Sequence, residues 1–218
     1  MKHTQIKICG LTDPSETAVV NKNHVDLIGN VLFFEKSRRN IDISRARLIH
    51  AGLSEGIQKV AVVVSPSVDQ LQMIEEAGFD LVQIHGSLPD WDLLENKTSI
   101  PILLAFNGAD CEKCREYDMA ERIAGFLFDA PAPGSGQAFD WSRLSEFFIK
   151  TADGEGGLNK PCFLAGGLRA ENVGEAIGLL HPAGVDVSSG VEYADRQGKD
   201  PAAVERFIQA VRRADRDH

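Results

Sequence analysis

The chain has 218 residues, 43% hydrophobic and 25% charged, enough to close one sizeable core and short for two full domains. Its 23 basic and 32 acidic side chains leave a formal charge of −9, which repels phosphate backbones and anionic lipid and argues against nucleic-acid or membrane-surface partners. The segment from Met1 to Gln5 has no apolar signal core and apolar runs are only a few residues long, so neither export nor a membrane span is expected, and a cytoplasmic location is.

Runs rich in Val, Ile, Leu and Phe predict strands at Ile6–Cys9, Asp26–Phe33, Lys59–Val64, Asp80–Ile84, Ile100–Ala105, Ala124–Asp129, Cys162–Ala165 and Gly184–Val187. These runs are continuously apolar, as strands buried on both faces of a parallel sheet should be. Helical patterns follow them in turn, at Asp13–Asn23, Ser44–Gly52, Val68–Ala77, Asp90–Asn96, Glu112–Arg122, Trp141–Lys150, Glu171–Leu179 and Pro201–Arg213. Asp13-Pro14-Ser15-Glu16 supplies a cap, a first-turn proline and a capping-box Glu, and Ser67 to Gln70 and Asp200-Pro201 repeat parts of that logic. Strand–helix units of roughly 27 residues, repeated eight times, predict a single (β/α)8 TIM barrel domain over 1–218, in preference to a doubly wound open sheet. Cys9, Cys111, Cys114 and Cys162 are irregularly spaced, which favours free thiols over a disulfide framework.

In such a barrel the chemistry belongs at the carboxyl ends of the strands. The first strand ends on Cys9, beside Gly10, so its thiol is a candidate base or nucleophile, against the alternative of a small buried hydrophobe. The sixth ends on Asp129, where partial burial would raise the pKa and keep a proton for donation; a turn-capping Asp is the alternative. Gly134-Ser135-Gly136 can present bare amides, and Gly166-Gly167 and Ser188-Ser189-Gly190, after strands seven and eight, suit the usual phosphate site of a barrel. Such a site needs no lysine, which reconciles a phosphate ligand with an acidic chain. In Lys36-Ser37-Arg38-Arg39 one arginine could hold a ligand carboxylate by a two-point fork, although a solvated basic turn is the commoner reading. His85 lacks spaced partners for a metal set, so packing or hydrogen bonding is favoured; the lone Cys111–Cys114 pair is weak evidence for zinc or redox chemistry.

In order and spacing, the segments Lys7 to Thr12, Val82 to Gly86, Phe128-Asp129, Gly134 to Gly136 with Phe139 to Trp141, Leu164 to Leu168 with Glu171 to Val173, and Val185 to Glu192 with Gly198 to Asp200 resemble phosphoribosylanthranilate isomerase of tryptophan biosynthesis. The resemblance implies a (β/α)8 barrel that converts N-(5-phosphoribosyl)anthranilate into 1-(2-carboxyphenylamino)-1-deoxyribulose 5-phosphate, without metal or organic cofactor. It matches Cys9 to the general base, Asp129 to the general acid and Arg39 to the residue that holds the anthranilate carboxylate. The turns at Gly166-Gly167 and Ser188-Ser189-Gly190 match the phosphate cradle. An ordinary cysteine pKa of about 8.5 would need only modest help from nearby cations for a base at neutral pH. Asn30 stands where the family commonly has an aromatic, which bears on the pocket around the anthranilate ring, and the 152–157 loop is long. The implied partner is a small phosphoribosyl substrate, with a monomer or a homodimer as the assembly. Three rivals remain: a histidine-biosynthesis isomerase, which would carry a carboxylate where Cys9 stands; a phosphate-binding protein without turnover; and a thiol sensor at Cys111 and Cys114.

Overall fold

Eight short strands, each too apolar to leave either face in water, settle the architecture: β1 (Gln5–Cys9), β2 (Leu27–Val31), β3 (Gln58–Val64), β4 (Leu81–His85), β5 (Ile102–Asn107), β6 (Ile123–Asp129), β7 (Cys162–Ala165) and β8 (Gly184–Val187). All pair in parallel with their sequence neighbours, and β1 closes on β8, so the sheet has no edge. The computed structural model describes residues 3–107, 110–129, 141–149 and 156–217.

Strand period divides the core into two shells. Ile6, Ile8, Ile28, Val63, Ile84, Leu104, Phe126, Phe128 and Val185 point outward into one cluster beneath the helices. Cys9, Leu27, Val60, Val62, Leu103, Leu127, Phe163 and Ala165 form the second, inside the barrel. The outer ring is built from α1 (Thr17–Lys22), α2 (Ile43–His50), α3 (Val68–Glu76), α4 (Trp91–Lys97), α5 (Ser145–Phe148), α6 (Val173–Leu180) and α7 (Pro201–Asp217).

The strand expectations hold to within one or two residues at most ends, and the helix expectations less evenly. The stretch expected as one helix over 13–23 is a 3-10 turn, Pro14–Glu16, leading into α1; the capping box of Asp13 and Glu16 is present. Ser67 and Gln70 form the second box. The helix expected over Glu112–Arg122 is instead a 3-10 helix, Cys111–Tyr117. Three residues per turn superpose positions i and i+3, so Cys111 and Cys114 share the buried face while Glu112, Lys113 and Arg115 stay in water. The pattern over Trp141–Lys150 becomes a 3-10 turn, Trp141–Leu144, followed by the four residues of α5.

Candidate active site

Inward-facing residues at the carboxyl ends of the strands make a polar layer above an apolar plug. Below, the Phe163 ring occupies the space where a Cβ at Gly184 would stand, 2.3 Å from its Cε1. Above, Lys7 and Cys9 of β1, Gln83 and His85 of β4, Asp129 of β6 and Asp186 of β8 face the interior, two residues apart wherever they share a strand.

Lys7 is the largest fully buried side chain, with 0% exposure. Its Nζ lies 3.0 Å from Asp186 Oδ1, and the two residues are register partners across β1 and β8. Burial opposes the ammonium charge, but Asp186 and then Cys9 outweigh it, and the Lys7 pKa ends above its ordinary value. Cys9 is 8% exposed. Burial pushes its thiol upward, against the pull of Lys7 and Lys199, so in the free protein the thiol is protonated at neutral pH. The help from nearby cations that a base at neutral pH needs is present in Lys7 and Lys199, but desolvation outweighs it. Asp129 is raised to about 6, by burial first and by the Asp186 charge second, with Lys7 opposing. Cys9 and Asp129 thus stand at opposite strand ends around one Lys7–Asp186 pair, whose field reaches both.

His85 turns inward, and burial and then Lys7 keep its pKa low. The neutral ring accepts from Gln83 Nε2 at 2.7 Å, which is the hydrogen-bonding role expected of it. Among the described residues, no group of three or more His, Cys, Asp or Glu side chains could hold a metal ion.

At the rim, Gly10 has φ +81, and a Cβ there would stand 2.5 Å from Arg39 Cδ; only glycine lets the Arg39 stem lie across the end of β1. The Arg39 guanidinium meets Glu192 side-on, Nε to Oε1 at 2.6 Å and Nη2 to Oε2 at 3.0 Å. Arg38 also reaches Glu192 but is 64% exposed against 26% for Arg39, so Arg39 is the arginine turned toward the mouth. Lys199 Nζ adds a third cation at 3.0 Å. Burial would raise the Glu192 carboxyl; Arg39 and Lys199 outweigh it and hold it at about 2. Three cations around one carboxylate leave a net positive rim on an acidic protein.

The turn after β7 places Gly166 and Gly167 at φ +85 and +64. A 3-10 turn, Ser189–Val191, follows β8, and the Ser188 hydroxyl donates to the Cys9 carbonyl at 3.0 Å. These two turns touch: a Cβ at Gly190 would fall 2.0 Å from the Leu168 carbonyl oxygen. Gly134, Ser135 and Gly136 lie outside the described residues, as does most of the 152–157 loop. Asn30 does not line the mouth. It points outward beneath the helices, donating to Leu11 O at 3.0 Å and meeting His50 Nε2 at 3.0 Å, so the absent aromatic leaves the barrel interior unchanged.

All four cysteines are buried. Burial holds the Cys114 thiol up at about 12, the opposite of what a reactive pair requires. A groove of about 1120 Å³ between α1 and the loop after β8 lies outside the barrel and contains neither Cys9 nor Asp129.

The sequence profile described as N-(5'phosphoribosyl)anthranilate (PRA) isomerase matches residues 6–210. The chain belongs to this family. An N-(5'-phosphoribosyl)anthranilate isomerase of Streptococcus mutans is 37% identical over 212 residues, 96% of this chain and 100% of that one. The phosphoribosyl anthranilate isomerase of Thermotoga maritima superposes with a TM-score of 0.78 at 28% identity, covering 96% of this chain and 98% of its own. A structure of a phosphoribosyl anthranilate isomerase in complex with reduced 1-(o-carboxyphenylamino)-1-deoxyribulose 5-phosphate superposes at 0.77, with 26% identity over 96% of this chain and 98% of that one. Family membership decides against the histidine-pathway reading and makes the chain an isomerase of tryptophan biosynthesis.

Sequence reasoning did not single out Lys7, Asp186, Glu192 and Lys199, which the structure places among the polar groups of the mouth and rim, although all four lie within its motif segments. The available signal was the i,i+2 spacing of Lys7 and Cys9 on one strand, which puts both on one face.

Proposed function

We propose that the chain isomerises N-(5'-phosphoribosyl)anthranilate to 1-(2-carboxyphenylamino)-1-deoxyribulose 5-phosphate with Asp129 as general acid and Cys9 as general base. Asp129 donates its proton to the ribose ring oxygen; the ring opens to a Schiff base, whose C2 hydrogen is made acidic. Cys9 removes that proton as a thiolate, and the resulting enolamine collapses to the amino ketose. The Gly166-Gly167 and Ser188-Ser189-Gly190 turns, with Gly134 to Gly136, would hold the phosphate by amides and hydroxyls, and Arg39 the anthranilate carboxylate. Anchoring both ends keeps C1 and C2 between acid and base. The ligand of the superposed complex carries the same two anionic ends, a carboxyphenyl group and a 5-phosphate.

The observation that carries this reading is the raised Asp129 carboxyl, at about 6, across the Lys7–Asp186 pair from Cys9: a carboxyl that can donate a proton and a sulfur that can accept one once ionised share one water-poor mouth. The test is turnover followed by loss of anthranilate fluorescence. Cys9→Ala and Asp129→Asn should each cut kcat by about 10²–10⁴. Near-normal turnover in either folded variant overturns the assignment. We further propose one barrel domain over the whole chain, active in the cytoplasm as a monomer or homodimer.

A further inference from the structure

We infer that Lys7 is a positioning residue for Cys9: its buried ammonium, anchored by Asp186, is the cation against which the Cys9 thiolate forms. The inference rests on Cys9 being the base.

An ammonium taken fully out of water costs several kcal/mol, which a single carboxylate only partly offsets. Lys7 is 0% exposed and has its ion-pair partner on one side only, Asp186 Oδ1 at 3.0 Å. Its other side faces Cys9. A Cβ built on Gly29 would stand 2.9 Å from Cys9 Sγ and 3.1 Å from Lys7 Nζ, so sulfur and nitrogen converge on the room that this glycine leaves empty. Any side chain on β2 at that point would wedge between them. The two side chains also interact by hydrogen bond and charge.

On Cys9, Asp186 of β8 acts against ionisation, while Lys199, beyond β8, acts for it after Lys7. Arg39, beyond β2, feels the Cys9 charge as well. Lys7 in turn bears on His85 of β4 and Asp129 of β6, opposing a proton on each. Lys7 is thus the cation with the largest effect on Cys9, and it alone shares a strand face with it. A purely structural pair, closing β1 on β8, would account for the salt bridge but not for the convergence of Cys9 Sγ and Lys7 Nζ over Gly29.

The test is a titration of thiolate absorbance near 240 nm, taken as the difference between each protein and its Cys9→Ala counterpart. Lys7→Met should raise the Cys9 pKa by at least about one unit and lower kcat/KM at neutral pH about tenfold, whereas Lys7→Arg should recover part of both. If Lys7→Met does not fold, the double variant Lys7→Met/Asp186→Leu, which replaces the buried pair by apolar side chains, takes its place with a smaller expected rise, because the Asp186 charge that opposes the thiolate is lost with the ammonium. An unchanged or lowered Cys9 pKa in the folded variant overturns the inference, even if stability falls. Failure of the general-base assignment is a separate result: Cys9→Ala would keep its turnover while the titration still moved.

Discussion

Cys9 and Asp129 carry their protons the unexpected way round. The free protein holds a thiol whose pKa is pushed up by burial and a carboxyl at about 6, whereas the proposed mechanism needs an ionised sulfur beside a protonated acid. Between the two values, rising pH gains thiolate and loses carboxylic acid in equal measure. We expect kcat/KM to climb up to about pH 6, stay level, and fall only above the Cys9 pKa. Asp129→Glu should move the lower break and leave the upper one; a lower break that follows changes at Cys9 instead refutes the assignment. Arg39→Ala should raise KM by about tenfold or more, and Arg38→Ala far less, because a two-point fork to a carboxylate is lost only in the first. Equal changes in KM would show that the two arginines share the work around Glu192. Cys9 and Asp129 were legible in the sequence because each ends an apolar run. Asp186 was not, because a strand buried on both faces hides which of its residues point inward until the barrel closes; Lys7 was legible only through its i,i+2 spacing from Cys9.

Two connecting segments are held by single carboxylates. Glu16, at the end of the first 3-10 turn, accepts from Thr12 N at 2.6 Å, Asp13 N at 2.9 Å and Lys199 N at 2.6 Å, tying the loop after β1 to the loop after β8. Glu16→Ala leaves three buried or half-buried amides unpaired and should cost about 2–4 kcal/mol, read by denaturant unfolding. Glu192 does the same for the rim cations. Its folded pKa of about 2 is depressed, so its contribution to stability is full above the ordinary carboxylate range and is lost as pH falls from about 4 through about 2. Glu192→Gln should therefore flatten the acid end of the stability curve, and an unaltered acid slope would contradict this. The capping boxes at Asp13 and Ser67 were readable because they act within four residues. The 3-10 helix at Cys111–Tyr117 was not, since i,i+3 and i,i+4 burial look alike over so short a span.

At the scale of the molecule, apolar residues do two different jobs. Phe126 faces the helices with 0% exposure and packs against Phe106, ring centroids 6.0 Å apart. Phe126→Ala should cost about 3–5 kcal/mol with the mouth intact, so activity per folded molecule should persist while the midpoint of unfolding drops. The eightfold alternation made the barrel readable from sequence, because every strand run was long enough to stand out. The inner plug was not readable, as the contact of Phe163 with Gly184 exists only when β7 and β8 lie side by side.

The burial of all four sulfurs bears on how the enzyme ages under oxidants. Peroxide attacks thiolates; burial keeps Cys9 a shielded thiol at rest, and the proposed mechanism requires it to ionise during turnover. Resting protein should survive peroxide longer than protein that is turning over, a contrast that mass spectrometry of Cys9 would record as sulfenic and sulfinic adducts.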